Sequence, residues 1–165
     1  MSNISPDNSA GQEAVKEAIA WTKSGEMSKA IQVFEEQLMI LSQGTIPDRR
    51  IAALAFSYYG LCVATLRRKY GEGVKYCRVS LRSNPMDPEH RTNLAMVYLE
   101  RNDRAKAVET LNAGLRLDRR NRRLNYVLDT IGRRRPPVIT FLSRDNPMNV
   151  WLGKKRAGYE QRFTR

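Results

Sequence analysis

One pattern recurs three times in this 165-residue chain, on a unit of about 34 residues. A small residue is followed by an aromatic or aliphatic one. On a second helix another small residue is followed four positions later by a large apolar one. The copies read Ala18, Trp21, Ala30, Phe34, then Gly60, Val63, Gly73, Cys77, then Ala95, Tyr98, Ala107, Leu111. The small residues let two helices approach closely, and the larger ones fill the gaps between neighbours. A two-helix hairpin cannot bury its apolar face alone, so the copies must stack, and such stacks make binding surfaces rather than catalytic pockets.

The chain punctuates accordingly. Residues 1–11 are polar, lack apolar periodicity and predict a disordered N-terminus. Apolar spacing of three and four predicts helices over about 12–23, 28–41, 48–68, 72–82, 88–100 and 104–117, and a seventh over about 121–131. Asp48 is placed to cap the third. Asp87-Pro88-Glu89, a cap with proline in the first turn, is a strong start signal for the fifth. Arg122, Arg123, Asn125 and Asp129 would give the seventh helix the polar outer side of a terminal cap. No segment sustains two-residue alternation, so the fold class is all-α.

Several function classes recede on composition. No apolar run approaches the ~20 residues of a membrane helix, and Met1–Gly11 has no apolar stretch of a secretory signal, so the expected location is cytoplasmic. Cys62 and Cys77 lie in apolar helical contexts and read as buried small hydrophobes rather than redox or metal residues. His90 is the one histidine, so no zinc-ligand cluster is visible and no cofactor is implied. It reads as a surface residue in the first turn of a helix, where a protonated ring is disfavoured. Gly71-Glu72-Gly73 lacks the strand that a phosphate loop requires. With no nucleophile–base arrangement, no catalytic residue is expected and the chain reads as a non-enzyme without a small-molecule substrate.

At the repeated residues the chain resembles the tetratricopeptide repeat family. The copy over 88–121 fits best, with Leu94, Ala95, Tyr98, Ala107 and Leu111. The second ends in the expected Asn84-Pro85 but carries one extra residue near Arg68. The first is weaker, with Ala14 and Glu17 where large residues are usual. The resemblance covers roughly 11–121. It implies a right-handed superhelical stack of three hairpins, with a capping helix completing a domain over 12–132 and a basic extended tail over 133–165.

In that family the first helix of each hairpin lines a concave groove. Carried over, the groove is lined by Gln12, Val15, Ile19, Thr22 and Lys23, by Leu54, Ser57, Leu61, Ala64 and Thr65, and by Glu89, Thr92, Met96, Leu99 and Glu100. The Lys/Arg-plus-Asn array that grips a C-terminal carboxylate in chaperone-binding relatives is not apparent. Asn93 alone hints at it, and a helix-surface amide is the plainer account. The strip is instead mostly apolar, and an apolar strip of this kind is ordinarily covered. Val15, Ile19, Lys23, Leu54, Leu61, Ala64, Met96 and Leu99 are therefore the candidate partner-binding residues, for an extended apolar segment of a protein or peptide. The competing account makes some of them interhelical core.

The tail is a second element. Pro136-Pro137 forbids helix. Asn146-Pro147 resembles a cap and first-turn proline opening a short helix to Leu152, stopped by Gly153. Val138, Ile139, Phe141, Leu142 and Trp151 form an apolar set expected to dock in the chain's own groove, on a sister subunit as a homo-oligomer, or on a partner. The tail also resembles the end of certain small bacterial tetratricopeptide proteins. Residues 122–165 hold eleven basic and three acidic side chains of a chain whose net charge is +12. An alternative function therefore has the basic segments, including Arg116, Arg119, Arg120, Arg122, Arg123 and Arg133–Arg135, bind nucleic acid or another polyanion, with Tyr126, Trp151, Tyr159 and Phe163 to stack on bases. A further alternative is a secretion-type chaperone, which some three-repeat proteins of this length resemble.

Overall fold

The computed structural model describes residues 6–42, 49–131, 139, 146–152 and 155. The chain divides into two compact units, Met1–Ile131 and Gly132–Arg165. Among the described residues the first holds seven helices: α1 (Pro6–Ser24), α2 (Met27–Ser42), α3 (Arg49–Arg67), α4 (Tyr70–Ser83), α5 (Pro88–Glu100), α6 (Arg104–Leu117) and α7 (Arg122–Thr130). Among the described residues there is no strand. Helix α1 begins at Pro6, six residues before the expected start, so the described part of the segment expected to be disordered is helical. The expected cap Asp48 lies outside the described residues.

The starts of α5, α6 and α7 follow from their caps. Asp87 Oδ1 accepts from the Glu89 amide at 2.9 Å ahead of Pro88, Asp103 Oδ1 from Lys106 at 3.3 Å, and Asn121 Oδ1 from Leu124 at 3.1 Å. Each satisfies an amide left without a partner in a first helical turn. Arg104 Nη2 donates to the Ile131 carbonyl and ties down the end of α7.

The packing is a row with a second layer. Helices α1, α3, α5 and α7 follow one another, each touching the next; α2 packs on α1 and α3, α4 on α3 and α5, and α6 on α5 and α7. Two apolar clusters result. Val15, Ala18, Ala30, Ile31, Phe34, Ala55, Tyr58 and Cys62 close the first two hairpins. Leu61, Ala64, Cys77, Leu94, Val97, Tyr98, Leu111, Leu124 and Leu128 close the rest. Ala18 and Gly60 are 42 residues apart rather than about 34, with most of the added length inside α2 and the start of α3. Gly60 and Ala95 are 35 apart, and the extra residue is absorbed at Arg68, whose φ is +57°. Gly25 (φ +95°) and Asn102 (φ +62°) turn the other two hairpins. Glycine adopts that conformation at no steric cost and asparagine at little, whereas arginine there is unusual.

In the second unit, residues 147–152 are helical. Asn146 Oδ1 accepts from the Met148 amide at 3.0 Å, the cap that Asn146-Pro147 predicts. Asn149 pairs with both backbone groups of Ile139, at 2.8 and 3.0 Å.

Candidate functional site

Where α1, α3, α5 and α7 adjoin, each contributes to one polar cluster. Glu89 of α5 sits at its centre. Its carboxylate pairs with Arg123 of α7 and accepts from the Tyr58 hydroxyl of α3, to which Arg123 also donates. Arg123 Nη2 reaches Asn93 Oδ1 at 3.1 Å, and Asn93 Nδ2 continues to Ser57 Oγ at 3.1 Å. Lys23 of α1 approaches Glu89 to 3.8 Å and lies 5.7 Å from the centre of the Tyr58 ring, with the Arg123 guanidinium 5.4 Å from the same ring. Planar guanidinium and aromatic ring suit each other electrostatically in this geometry. Burial pushes the Tyr58 phenol far above its usual range. Arg123 opposes that shift and Glu89 adds to it, so Tyr58 remains a neutral donor at any physiological pH.

The candidate groove residues are distributed differently from expectation. Val15 (3% exposed), Leu61 (1%) and Ala64 (0%) are core. Ile19, Leu54, Met96 and Leu99 are half-buried, and Lys23 is exposed. Val15, Ile19 and Leu54 belong to the first apolar cluster and Leu61, Ala64, Met96 and Leu99 to the second. The cause is packing. Helix α3 is flanked by α1, α2, α4 and α5, and Ala64 packs where α4 crosses closely at Gly73. Along the row Lys23 is exposed, Glu89 and Arg123 are partly exposed, and Tyr58, Asn93 and Ser57 are buried.

Three other side chains are corrected. Asn93 is fully buried, not a surface amide. Arg123 turns inward rather than lying on the outer side of α7. His90 is also fully buried rather than on the surface, and neither ring nitrogen has a hydrogen-bond partner among the described residues. One signal for Arg123 was available, because it lies one 34-residue unit after Glu89. Of the tail set, Val138, Phe141 and Leu142 lie outside the described residues. Ile139 is half-buried, and Trp151 is 56% exposed with the Lys155 ammonium 4.2 Å from its ring centre.

Cys62 and Cys77 are buried and free. Burial raises their thiols to about 11 and about 12 respectively, so both stay protonated and act as packing residues. Burial depresses the His90 imidazole below its usual 6.5, against the opposing pull of Asp87 and Glu89. Below pH about 6.5 the unfolded chain therefore takes up a proton at residue 90 that the folded chain refuses. Stability is expected to fall on acidification by up to about 1.4 kcal/mol per pH unit, until the pH passes the depressed folded value. In urea unfolding at several pH values, His90→Leu should remove that part of the acid slope; an unchanged slope would assign it to other groups.

This helical architecture is the fold of tetratricopeptide-repeat proteins. The first tetratricopeptide domain of Spaghetti (RPAP3), solved bound to the HSP90 peptide SRMEEVD, matches with a TM-score of 0.55 at 12% identity, over 73% of this chain and 91% of that one. The Hsp90 co-chaperone Cns1 from Saccharomyces cerevisiae matches at 0.61 and 14%, over 98% of this chain and 47% of that one. Cut9–Hcn1, an APC/C hetero-tetramer, matches at 0.59 and 18%, over 73% of this chain and 23% of the matched chain. This chain thus spans under half of the matched chains in the last two. At these identities the likeness is one of fold. No protein-family model and no curated protein matches the sequence. Among the described residues no helix is long and apolar enough to cross a membrane.

Proposed function

We propose that the helical domain is a non-enzymatic protein-interaction scaffold whose row α1–α3–α5–α7 holds an extended segment of a partner chain. The observation that carries this is the convergence of all four row helices on one polar cluster, with Ile19, Leu54, Met96 and Leu99 half-buried on the same helices. An extended peptide laid along the row would seat apolar side chains on those residues. It would place an acidic or hydroxyl group against Lys23 and the outer edge of Arg123. The fold supports the idea, since the Spaghetti domain of the same architecture was solved holding a peptide. Recognition here would differ from a purely apolar grip, because Glu89 already occupies the centre and tempers its positive charge.

The tail supplies a competing occupant. Its short helix exposes Met148, Val150 and Trp151, a segment of the right kind to dock in cis or on a sister subunit.

Peptides selected from a random library on the full chain and on a chain ending at residue 135 test both ideas. Selected peptides should bind Lys23→Glu and Met96→Glu at least about tenfold more weakly, a loss of about 1.4 kcal/mol. Lys75→Glu, on exposed α4, should leave binding unchanged. A tail occupant would show as tighter peptide binding by the truncated chain. Peptides indifferent to both row substitutions, or no enrichment by either chain, would refute the scaffold reading.

A further inference from the structure

The turn between α6 and α7 and the start of α7 carry Arg116, Arg119, Arg120, Arg122 and Arg123. The structure separates these five. Arg123 turns into the polar cluster, while the other four are exposed and make no ion pair among the described residues. Four exposed lysines elsewhere in the domain find a near neighbour of opposite sign, Lys16 with Glu13, Lys29 with Glu26, Lys69 with Glu72 and Lys106 with Asp103, although scattered cations such as Lys75 and Arg82 do not. That cannot happen here. Between Glu109 and Asp129 the only acid is Asp118, and its carboxylate is engaged by the turn itself. Asp118 Oδ1 accepts from the Arg120 amide at 3.0 Å and Oδ2 from Asn121 Nδ2 at 3.3 Å.

The same turn is held from the other side. Asn125 Nδ2 donates to the Arg119 carbonyl at 3.0 Å and to the Asn121 carbonyl at 2.9 Å, while Asn121 caps α7. The arginines therefore project from a backbone already fixed, and little ordering is required when a ligand arrives. On α7, Tyr126 stands four residues after Arg122 and so on the same face. Its side chain is 69% exposed, the highest exposure among the large apolar and aromatic residues described in the domain.

We infer that this corner of the domain is a docking surface for single-stranded nucleic acid, separate in its residues from the peptide row. Guanidinium forks match phosphate oxygens in a two-bond geometry that lysine does not offer. An exposed ring beside them gives a base something to stack on, independent of sequence. An acidic protein segment would satisfy the charges but would leave the Tyr126 ring face unused.

The test is fluorescence anisotropy of the full chain with a labelled oligouridylate of about 15 nucleotides, from about 50 to about 300 mM salt. Three to four phosphate contacts predict a log–log salt slope of about −2 to −3. Replacing Arg116, Arg119, Arg120 and Arg122 together by Gln should lower affinity at low salt at least about tenfold and flatten the slope. Tyr126→Ala should weaken binding about fivefold or more with the slope retained. The Asp118 and Asn121 contacts are untouched in these variants, and an unchanged melting curve verifies folding; the Arg119→Gln/Arg120→Gln pair should fall between. Undiminished binding by the quadruple variant would place the contact in the basic tail and overturn the proposal. So would absence of binding at low salt. Competition by polyglutamate equal to that by oligouridylate, with Tyr126→Ala silent, would make the surface one for an acidic protein and overturn it equally.

Discussion

Gly73→Ala should melt several degrees below the parent chain, while Gly71→Ala, two residues away on the same helix, should not. A methyl at Gly73 would lie 2.6 Å from the Gly60 carbonyl oxygen, 2.9 Å from Ala64 Cβ and 3.3 Å from Val97 Cγ1. The first is backbone of the facing helix and cannot swing aside, so α3 and α4 must separate. Overpacking of this kind costs about 1–3 kcal/mol, and a backbone obstacle puts it near the upper end. Alanine recovers up to about 1 kcal/mol of helix propensity over glycine. The clash wins, leaving a net loss of about 2 kcal/mol, or about 4–8 °C for a chain of this size. A methyl at Gly71 would meet nothing within 4 Å, so only the propensity term acts there and the change is neutral or slightly stabilising. Gly60→Ala meets the Gly73 carbonyl at 2.7 Å and should behave like Gly73→Ala. The double variant should cost less than the sum of the two, because helices already spread by one methyl accommodate the second. Urea unfolding of the four proteins decides it; equal stability of Gly71→Ala and Gly73→Ala would mean that the crossing is looser than these distances require.

This crossing was legible in the sequence because close approach restricts residue type directly. Only a small residue fits at Gly60, Gly73, Ala95 or Ala107, and the repeat displays them at fixed offsets. Helix limits were legible for a similarly local reason. Asp87 before Pro88 and Asn121 before α7 act through hydrogen bonds spanning two or three residues. The polar centre was not legible in that way. Tyr58, Glu89 and Arg123 are separated by 31 and 34 residues, and their meeting depends on how three helices of the row stand side by side. Tyrosine in an apolar helix face reads as core, and it is buried; that its hydroxyl also organises two charges is a property of the stack. His90 and Asn93 were misjudged by the same logic. A polar residue on a helix is placed at the surface by default, but α5 is covered by α3, α4, α6 and α7 together, leaving little surface to occupy. The inner strip was overestimated for the complementary reason. Leu61 and Ala64 fall at groove positions by the family's spacing, but α3 has α1, α2, α4 and α5 as neighbours and both side chains are buried, Ala64 where α4 crosses at Gly73.

The polar centre also fixes the last helix of the row, and breaking it should be costly. Glu89 and Arg123 side chains are each 27% exposed. Glu89→Leu would strand the Arg123 guanidinium against Tyr58 and Asn93 without its counter-charge. Removing one partner of a fully buried pair costs about 3–5 kcal/mol. Partial solvent access screens the remaining charge, so about 2 kcal/mol is expected here. Arg123→Met removes the opposite member and should cost a similar amount. In the double variant neither half-buried charge remains, only the more exposed Lys23 loses its partner, and two apolar side chains of similar volume face each other. It should recover at least about 1 kcal/mol relative to the sum of the single losses. The readout that separates a local latch from a general loss of packing is hydrogen exchange. Amides of α7 should open faster in either single variant, while those of α2, which among the described helices packs on α1 and α3, should follow global stability alone. Strictly additive losses would show that the charges act independently and that α7 is held by Leu124, Val127 and Leu128 alone. Recovery in the double variant would instead show that the polar centre supports the fold through mutual neutralisation.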